Sequence, residues 1–482
     1  MCAFEMAEGA DQPHVPGTDG TPGCNLPSSS RTRLNNEDAS LELSNVLNIL
    51  GYGPELRHRR RECYRENDRR YNERWGTDFC HDRIIVGSKA EGLSRCFESD
   101  WDILHVFNFA ECLEAGCDVN SIPENIPVFR MDTDICYPGH SILLLERGLP
   151  LFLLSALQNY GQGKLILSSD ALLNIPSITS RILPGPIYND RAGPSLPLPF
   201  GNTTIDTVLA LRCHCPSILQ RWAARSRHWP PTNVVEKVVS MGAFLTPVGF
   251  KESKNKNIEW RICFNTGETE LMINLNDTQM KLYVLLKMIA KDVLKPRHKE
   301  VTSYMMKNIV LWLAENNHQY KFHERSLFFW LHESLLKLRT ALSAKQLPYF
   351  MIPERNLMAA TGLTDAQQRI WITTLTDMMD ECPKLIRRLP KIRQAIISHP
   401  DPLRWYNGRR IELEIILLEV IKNATDISDI SFGDMFYYVL QNGVMWRAVE
   451  IIAEVSEKVR SGGSSETANL FEGLQIMYRF LM

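Results

Sequence analysis

The stretch IIVGSKAEGLSRCFESDWDILHVF, residues 84–107, decides how this chain is read. An apolar, β-branched run delivers Gly87-Ser88, a short helical turn follows, and a second strand opens on Asp100-Trp101-Asp102. Side chains two apart on a strand share a face, so Asp100 and Asp102 converge while Trp101 packs on the other side. Two carboxylates at that spacing suit one or two Mg²⁺ ions, which take oxygen ligands and keep phosphate and water in their remaining positions. Gly87 lets the backbone approach a phosphate closely, and Ser88 can donate a hydrogen bond to it. A third carboxylate is needed to activate an attacking hydroxyl at the metal. Asp206, in the apolar strand TIDTVLAL (204–211), is placed to supply it. Asp132-Thr133-Asp134 repeats the D-x-D spacing without a Gly-Ser before it, and reads as a strand end or turn.

Around this stretch the first half of the chain alternates strand and turn signals. RIIV (83–86), DWDILHVF (100–107), IPVFRM (126–131) and SILLLER (141–147) read as strands, and the Pro/Gly-rich LPGPIYNDRAGPSLPLPFGN (183–202) reads as a loop. FLTPVGF (244–250) and EWRICF (259–264) close this half. Beyond it the pattern is helical. From Met280 to Val293, Leu282, Leu285, Leu286, Ile289 and Val293 fall on one face, with Asn276 and Asp277 as N-cap candidates. A further helix starts at Ser303, and others cover 323–345, 366–398, 409–423 and 433–480. The expected fold is an α/β (α+β) core with a mixed sheet, followed by an all-helical lobe and a helical extension. In residues, this is a Gly/Pro/Ser-rich disordered tail at 1–40, a core at 41–265, a lobe at 266–360 and an extension at 361–482.

Composition excludes several classes. With 54 Lys+Arg against 56 Asp+Glu, the chain is not a wholly basic nucleic-acid binder, although a local basic patch remains open. Twelve cysteines in 482 residues are too sparse for a disulfide scaffold. The first residues, MCAFEMAEGADQ, carry acids where a secretory signal needs lysines and an apolar run, so a reduced intracellular compartment is expected, the cytoplasm first, with the nucleus left open. The most apolar stretch, Ser141–Leu157, is broken by Glu146, Arg147 and Pro150, and no membrane span is expected. Cys213-His214-Cys215 lacks clustered partners for a tetrahedral zinc site.

The Gly-Ser, the D-x-D and the later strand Asp resemble the nucleotidyltransferase core of cyclic GMP-AMP synthase and its relatives within the broader Mab (male-abnormal) family. The resemblance continues through IDTVLALRC (205–213), WAARSRHWP (222–230), EWRICFNTGETEL (259–271), LKMIAK (286–291), TSYMMKNIVLWL (302–313) and FMIPERNLM (350–358), covering about 41–360. It implies an enzyme that joins two nucleoside triphosphates, ATP and GTP among them, into a cyclic dinucleotide messenger of innate immunity, using Mg²⁺ or Mn²⁺. It also implies roles for individual residues. Asp100, Asp102 and Asp206 are the metal ligands, and Ser88, after Gly87, contacts the nucleotide phosphates. Arg261 and Glu268 serve the acceptor nucleotide and its base, Lys287 reaches the donor, and Ser303-Tyr304 holds the donor's phosphate and stacks on its base. A lysine and a serine at a helix N-terminus suit an anionic phosphate. Where the family commonly has Ser-Phe-Ser, this chain has Cys263-Phe264-Asn265, and Leu271–Lys287 is too short for the zinc loop of the vertebrate enzymes, so no structural zinc is expected. Many relatives keep the fold and lose the carboxylates, which makes a silent nucleotide-binding or protein-interaction scaffold the competing reading.

Family receptors are often switched on by double-stranded nucleic acid lying along a long N-terminal helix. Here the segment 55–75 carries eight arginines (57, 59, 60, 61, 65, 69, 70 and 74) interleaved with Glu55, Glu62, Glu66, Asp68 and Glu73. It reads either as a salt-bridged solvated helix or as a face that tracks the phosphates of double-stranded RNA or DNA.

Overall fold

The computed structural model describes residues 28–79, 81–95, 98–176, 193–200, 203–294, 301–423 and 445–461. Helices α1 (Ser28–Leu47) and α2 (Pro54–Phe79) lead into a ten-stranded mixed sheet. Its strands are β1 (His81–Val86), β2 (Trp101–Leu113), β3 (Val128–Asp132), β4 (His140–Arg147), β5 (Leu157–Asn159), β6 (Leu165–Leu167), β7 (Ser195–Phe200), β8 (Thr203–His214), β9 (Ala243–Thr246) and β10 (Glu259–Cys263). A single turn of helix, α3 (Gly87–Ala90), joins β1 to the segment before β2. All of the strands expected from sequence form, with ends moved by a few residues; β7 lies inside the stretch read as a loop, and residues 183–192 and 201–202 of that loop lie outside the described residues.

The long strand β2 organises the sheet. Its first half pairs antiparallel with β1, its second half pairs parallel with β3, and β8 runs parallel along its other edge throughout. The order β1-β2-β3-β4-β10-β9-β8-β7, with the extra β2–β8 pairing, carries six of the strands round a closed ring. From Ile103 to Phe107 every residue of β2 is buried, as a strand covered on both faces requires.

The helical half is built on Asp277–Ile289, Ser303–Asn316 and Leu327–Ala344, whose buried side chains share one apolar cluster with those of the sheet. The first begins at the expected cap: Asn276 accepts from the Gln279 amide, and the Gln279 side chain accepts from Asn276 N–H. The stretch read as one helix over 366–398 is broken into Asp365–Asp380, a 3₁₀ turn at Lys384–Arg388 and Pro390–Ile397. Pro383 and Pro390 account for the breaks, since proline cannot continue a helix from within. Asp401–Asn423 and Met445–Ser461 complete the described chain.

The tail expected to be disordered over 1–40 is helical from Ser28. Its composition is polar, but its end is held by tertiary contacts. Ser40 is fully buried and its Oγ accepts the N–H of Phe328, while Asp38 pairs with Arg325 at 2.6 Å. Residues 1–27 lie outside the described residues. The extension is joined closely to the core: Leu413, Ile416, Leu417 and Ile421 share one apolar cluster with Leu56, Tyr64, Trp101, Ile103 and Ile205. Among the described residues no helix is long and apolar enough to cross a membrane.

Candidate active site

Parallel pairing of β2 with β8 sets Asp102 directly opposite Asp206. Neighbours in register point to the same face, so the two carboxylates stand side by side. Trp101 turns away and is fully buried, with its ring edge-on to Tyr64 at 5.2 Å between centroids. Gly87 precedes this pair at a positive φ of 68°, and a Cβ there would collide with the Asp102 carboxylate. Glycine is required at this position on both counts. It brings the backbone of α3 against the aspartate and puts Ser88 at the mouth of the cleft.

Burial and the neighbouring Asp206 and Asp100 push the Asp102 carboxyl up to about 6, in spite of Lys307. Burial, with Asp100 adding to it, also raises Asp206, against a hydrogen bond of 3.0 Å from Ser195 Oγ. Like charges in a low-dielectric cleft disfavour joint ionisation, and this uncompensated negative charge is what a divalent cation relieves. Asp100 is exposed at the entrance to β2, and its Oδ1 accepts the N–H of Thr204 at 3.0 Å. Among the described residues no three His, Cys, Asp or Glu side chains stand close enough together to hold a metal ion. The adjacent pair Asp102 and Asp206 therefore fits a cation by charge and register, while Asp100 adds its field from a carboxylate committed to the backbone.

Opposite the aspartates, the helical lobe supplies positive charge. Lys287 donates to Ser88 Oγ at 2.5 Å, and burial lowers its ammonium below the ordinary lysine value. Lys307, one turn into the helix that starts at Ser303, lies 2.5 Å from Glu91 and 3.5 Å from Glu268. Burial opposes its charge, but the two glutamates outweigh it and hold the ammonium protonated. Glu268 also accepts from the hydroxyls of Tyr304 at 2.7 Å and Tyr349 at 2.6 Å. Burial and this carboxylate keep both phenols neutral.

A cavity of about 290 Å³ lies between the two halves, and Gly87, Ser88, Asp102, Arg261, Glu268, Ser303 and Tyr304 all line it. Lys287 reaches it through Ser88, and Asp206 stands beside Asp102. These residues, separated by more than 200 positions in sequence, are thus gathered at one cleft, with Asp100 at its outer edge. Sequence reasoning missed Glu91, Lys307, Tyr349 and Tyr283. Lys307 carries a usable signal, because it lies four residues after Ser303 and so on the same helix face. Glu91 and Tyr349 come from turns whose positions no periodicity fixes. Asn265, noted above only as a departure from the family pattern, lines the cavity with a buried Oδ1 that has no hydrogen-bond partner among the described residues.

Six of the eight arginines of α2 divide into two groups. Arg57 and Arg60 are buried, Arg57 on Asp277 at 2.8 Å and Arg60 on Glu414 at 2.7 Å. Arg59, Arg65, Arg69 and Arg70 pair with Glu55, Glu62, Glu66 and Glu73 along the helix itself. The face is salt-bridged, in line with the first of the two sequence readings. His214 likewise bonds to Glu111 at 3.2 Å, while Cys213 and Cys215 are buried.

Two family models match consecutive parts of the chain. The Mab-21 protein nucleotidyltransferase domain covers 191–274, and the Mab-21 protein HhH/H2TH-like domain covers 278–375. No match was found among curated proteins.

Proposed function

From a chain that belongs to the Mab-21 family, with its nucleotidyltransferase domain followed by its helical C-terminal domain, we propose a metal-dependent nucleotidyltransferase that makes a cyclic dinucleotide from two nucleoside triphosphates, ATP and GTP among them. The observation that carries this reading is the Asp102–Asp206 pair, in register beside Gly87-Ser88 and facing a cleft with buried cations. A non-catalytic scaffold has no need for two raised, mutually repelling carboxylates, which cost stability unless something binds them.

Mg²⁺ or Mn²⁺, held by Asp102 and Asp206 with Asp100 nearby, would supply charge neutralisation at the phosphates and lower the pKa of the attacking hydroxyl. The chain's own residues do the rest. Ser88 and Lys287 hold the phosphates of the donor, and Ser303, at a helix N-terminus, adds a hydroxyl on the same side. Arg261 and Glu268 orient the acceptor, and Tyr304 offers its ring to a base. A ribose hydroxyl oxygen of the acceptor attacks the donor's α-phosphorus, forming one O–P bond as the bond to the bridging β-phosphate oxygen breaks. Asp206 takes the hydroxyl proton and pyrophosphate leaves. A second transfer in the opposite sense closes the ring, releasing a second pyrophosphate.

Activation by double-stranded RNA or DNA lying along α2, in the cytoplasm and in the service of innate immunity, belongs to the same proposal. Arg59, Arg65, Arg69 and Arg70 already have glutamate partners, which a phosphate backbone has to displace, while Arg74 is exposed beside the Trp75 ring. The test is incubation of the full chain with labelled nucleoside triphosphates, Mn²⁺ and a panel of DNA and RNA. One compact, phosphatase-resistant product is expected from wild type and none from Asp100→Asn with Asp102→Asn, whose fold is checked by thermal melting. Ladders would indicate a linear polymerase instead, and wild-type product from the double variant would overturn the site.

A further inference from the structure

A second chamber, of about 530 Å³, opens on the far side of Arg261 and Tyr304, both of which line it as well as the aspartate cleft. The two differ sharply in charge. The aspartate cleft contains Glu91, Asp102 and Glu268, whereas no acidic residue lines the second chamber, which takes Arg261, Arg355, Lys251 and His140. Among the described residues no carboxylate pairs with either Arg261 or Arg355. Burial, with the two guanidinium groups adding to it, pushes the His140 imidazole down to about 3, so the ring is neutral and leaves the field of the arginines positive. Arg355 is fixed in place: its guanidinium lies 5.1 Å over the Tyr349 ring, and its stem crosses Gly139, where a Cβ would come within 2.9 Å of Cδ. Tyr137 and Phe250, stacked at 3.9 Å and 9° between planes, form the opposite wall.

A half-buried pair of guanidinium groups without an acid, on an aromatic-walled chamber, is a receptor for a polyanion. We propose that this chamber binds the phosphate chain of the acceptor nucleotide, with Arg355 as its principal ligand and Arg261 joining it to the cleft where transfer takes place. The proposal rests on the nucleotidyltransferase reading for the identity of its ligand. The division of charge gives the two phosphate chains separate places: the donor's beside the metal-binding carboxylates, the acceptor's among arginines alone. Arg355 lies within FMIPERNLM, a segment that carries the family resemblance without any assigned role.

The test uses the full chain and inorganic tripolyphosphate without divalent metal, so that the unneutralised aspartates disfavour the first cleft. Binding is measured by calorimetry for wild type, Arg355→Gln and Arg355→Lys, with melting curves to confirm folding. Arg355→Gln is expected to weaken binding by roughly tenfold to a hundredfold, as loss of a charged hydrogen-bonding partner does. Arg355→Lys, which keeps the charge and loses the fork, should fall between the two. Tripolyphosphate binding equal in wild type and Arg355→Gln would overturn the subsite. The result stands apart from turnover, because a chain that makes no dinucleotide still shows or lacks Arg355-dependent anion binding.

Discussion

Asp102 carries the electrostatic tension of the site, and its titration makes a prediction at the scale of one residue. Its carboxyl is raised from the ordinary aspartate value, 3.8, to about 6 in the folded chain. A raised acid favours the protonated folded state, so the metal-free protein loses stability as pH rises from about 4 to about 6, and the loss is complete above that. A cation at the pair removes this penalty. Mn²⁺ should therefore raise the melting temperature more at pH 7.5 than at pH 5, and Asp102→Asn should melt higher than wild type in chelator at pH 7.5 while losing the response to Mn²⁺. An equal response at both pH values would argue against a metal at this carboxylate. Lys307 makes the opposite case, since it is the buried countercharge for Glu91 and Glu268. Lys307→Met strands both acids, and we expect a loss of about 3–5 kcal/mol in denaturant melts. Asp102 and Asp206 were legible in sequence because strand periodicity fixes which way such residues face. Lys307 shares the helix face of Ser303 by spacing, but that signal is masked because a lysine on an amphipathic helix usually marks the solvated side.

At the scale of elements, α2 and the helix Asp401–Asn423 act as one unit. Cys63 Sγ and the Asn67 amide donate to the carbonyls of Leu418 and Ile421, and Arg60 holds Glu414 with two hydrogen bonds while donating to the carbonyl of Gly92. Gly92 begins the loop between Ser88 and Asp100, and the same loop is gripped at Glu98 by Lys391, at 2.5 Å. Burial works against ionisation of Glu98, but Lys391 and Arg95 keep its carboxyl well below the ordinary range. Breaking the inner pair with Glu414→Gln should cost about 3–5 kcal/mol, whereas Arg65→Ala, on the exposed face, should stay within about 0.5 kcal/mol. Equal costs would contradict this division of the helix. From the sequence, the eight arginines of α2 look alike. Their charges are balanced locally by glutamates that spacing reveals, but the partners of Arg57 and Arg60 lie 220 and 354 residues away, where no local rule reaches.

Taken as a whole, the molecule backs the strands of its candidate site with its own extension. Trp101, between Asp100 and Asp102, belongs to the same apolar cluster as Ile416, Leu417, Ile451 and Val455. The strand–turn–strand of residues 84–107 and the helical lobe could be read from periodicity, because each buries one repeating face. The place of residues 361–482 could not, since an amphipathic helix announces that it has a partner without naming it. A chain ending at Ala360 leaves that cluster uncovered, and we expect it to aggregate or to melt well below the full chain; a soluble fragment of equal stability would show that the extension is dispensable for folding. The central claim, that the two halves together form a working transferase, is tested most directly by pyrophosphate release. The full chain is supplied with ATP, GTP and Mn²⁺, with each member of a DNA and RNA panel in turn. Wild type is expected to release two pyrophosphates per cyclic product, and Asp102→Asn none. No release under any of these conditions, or equal release by the variant, would contradict that claim.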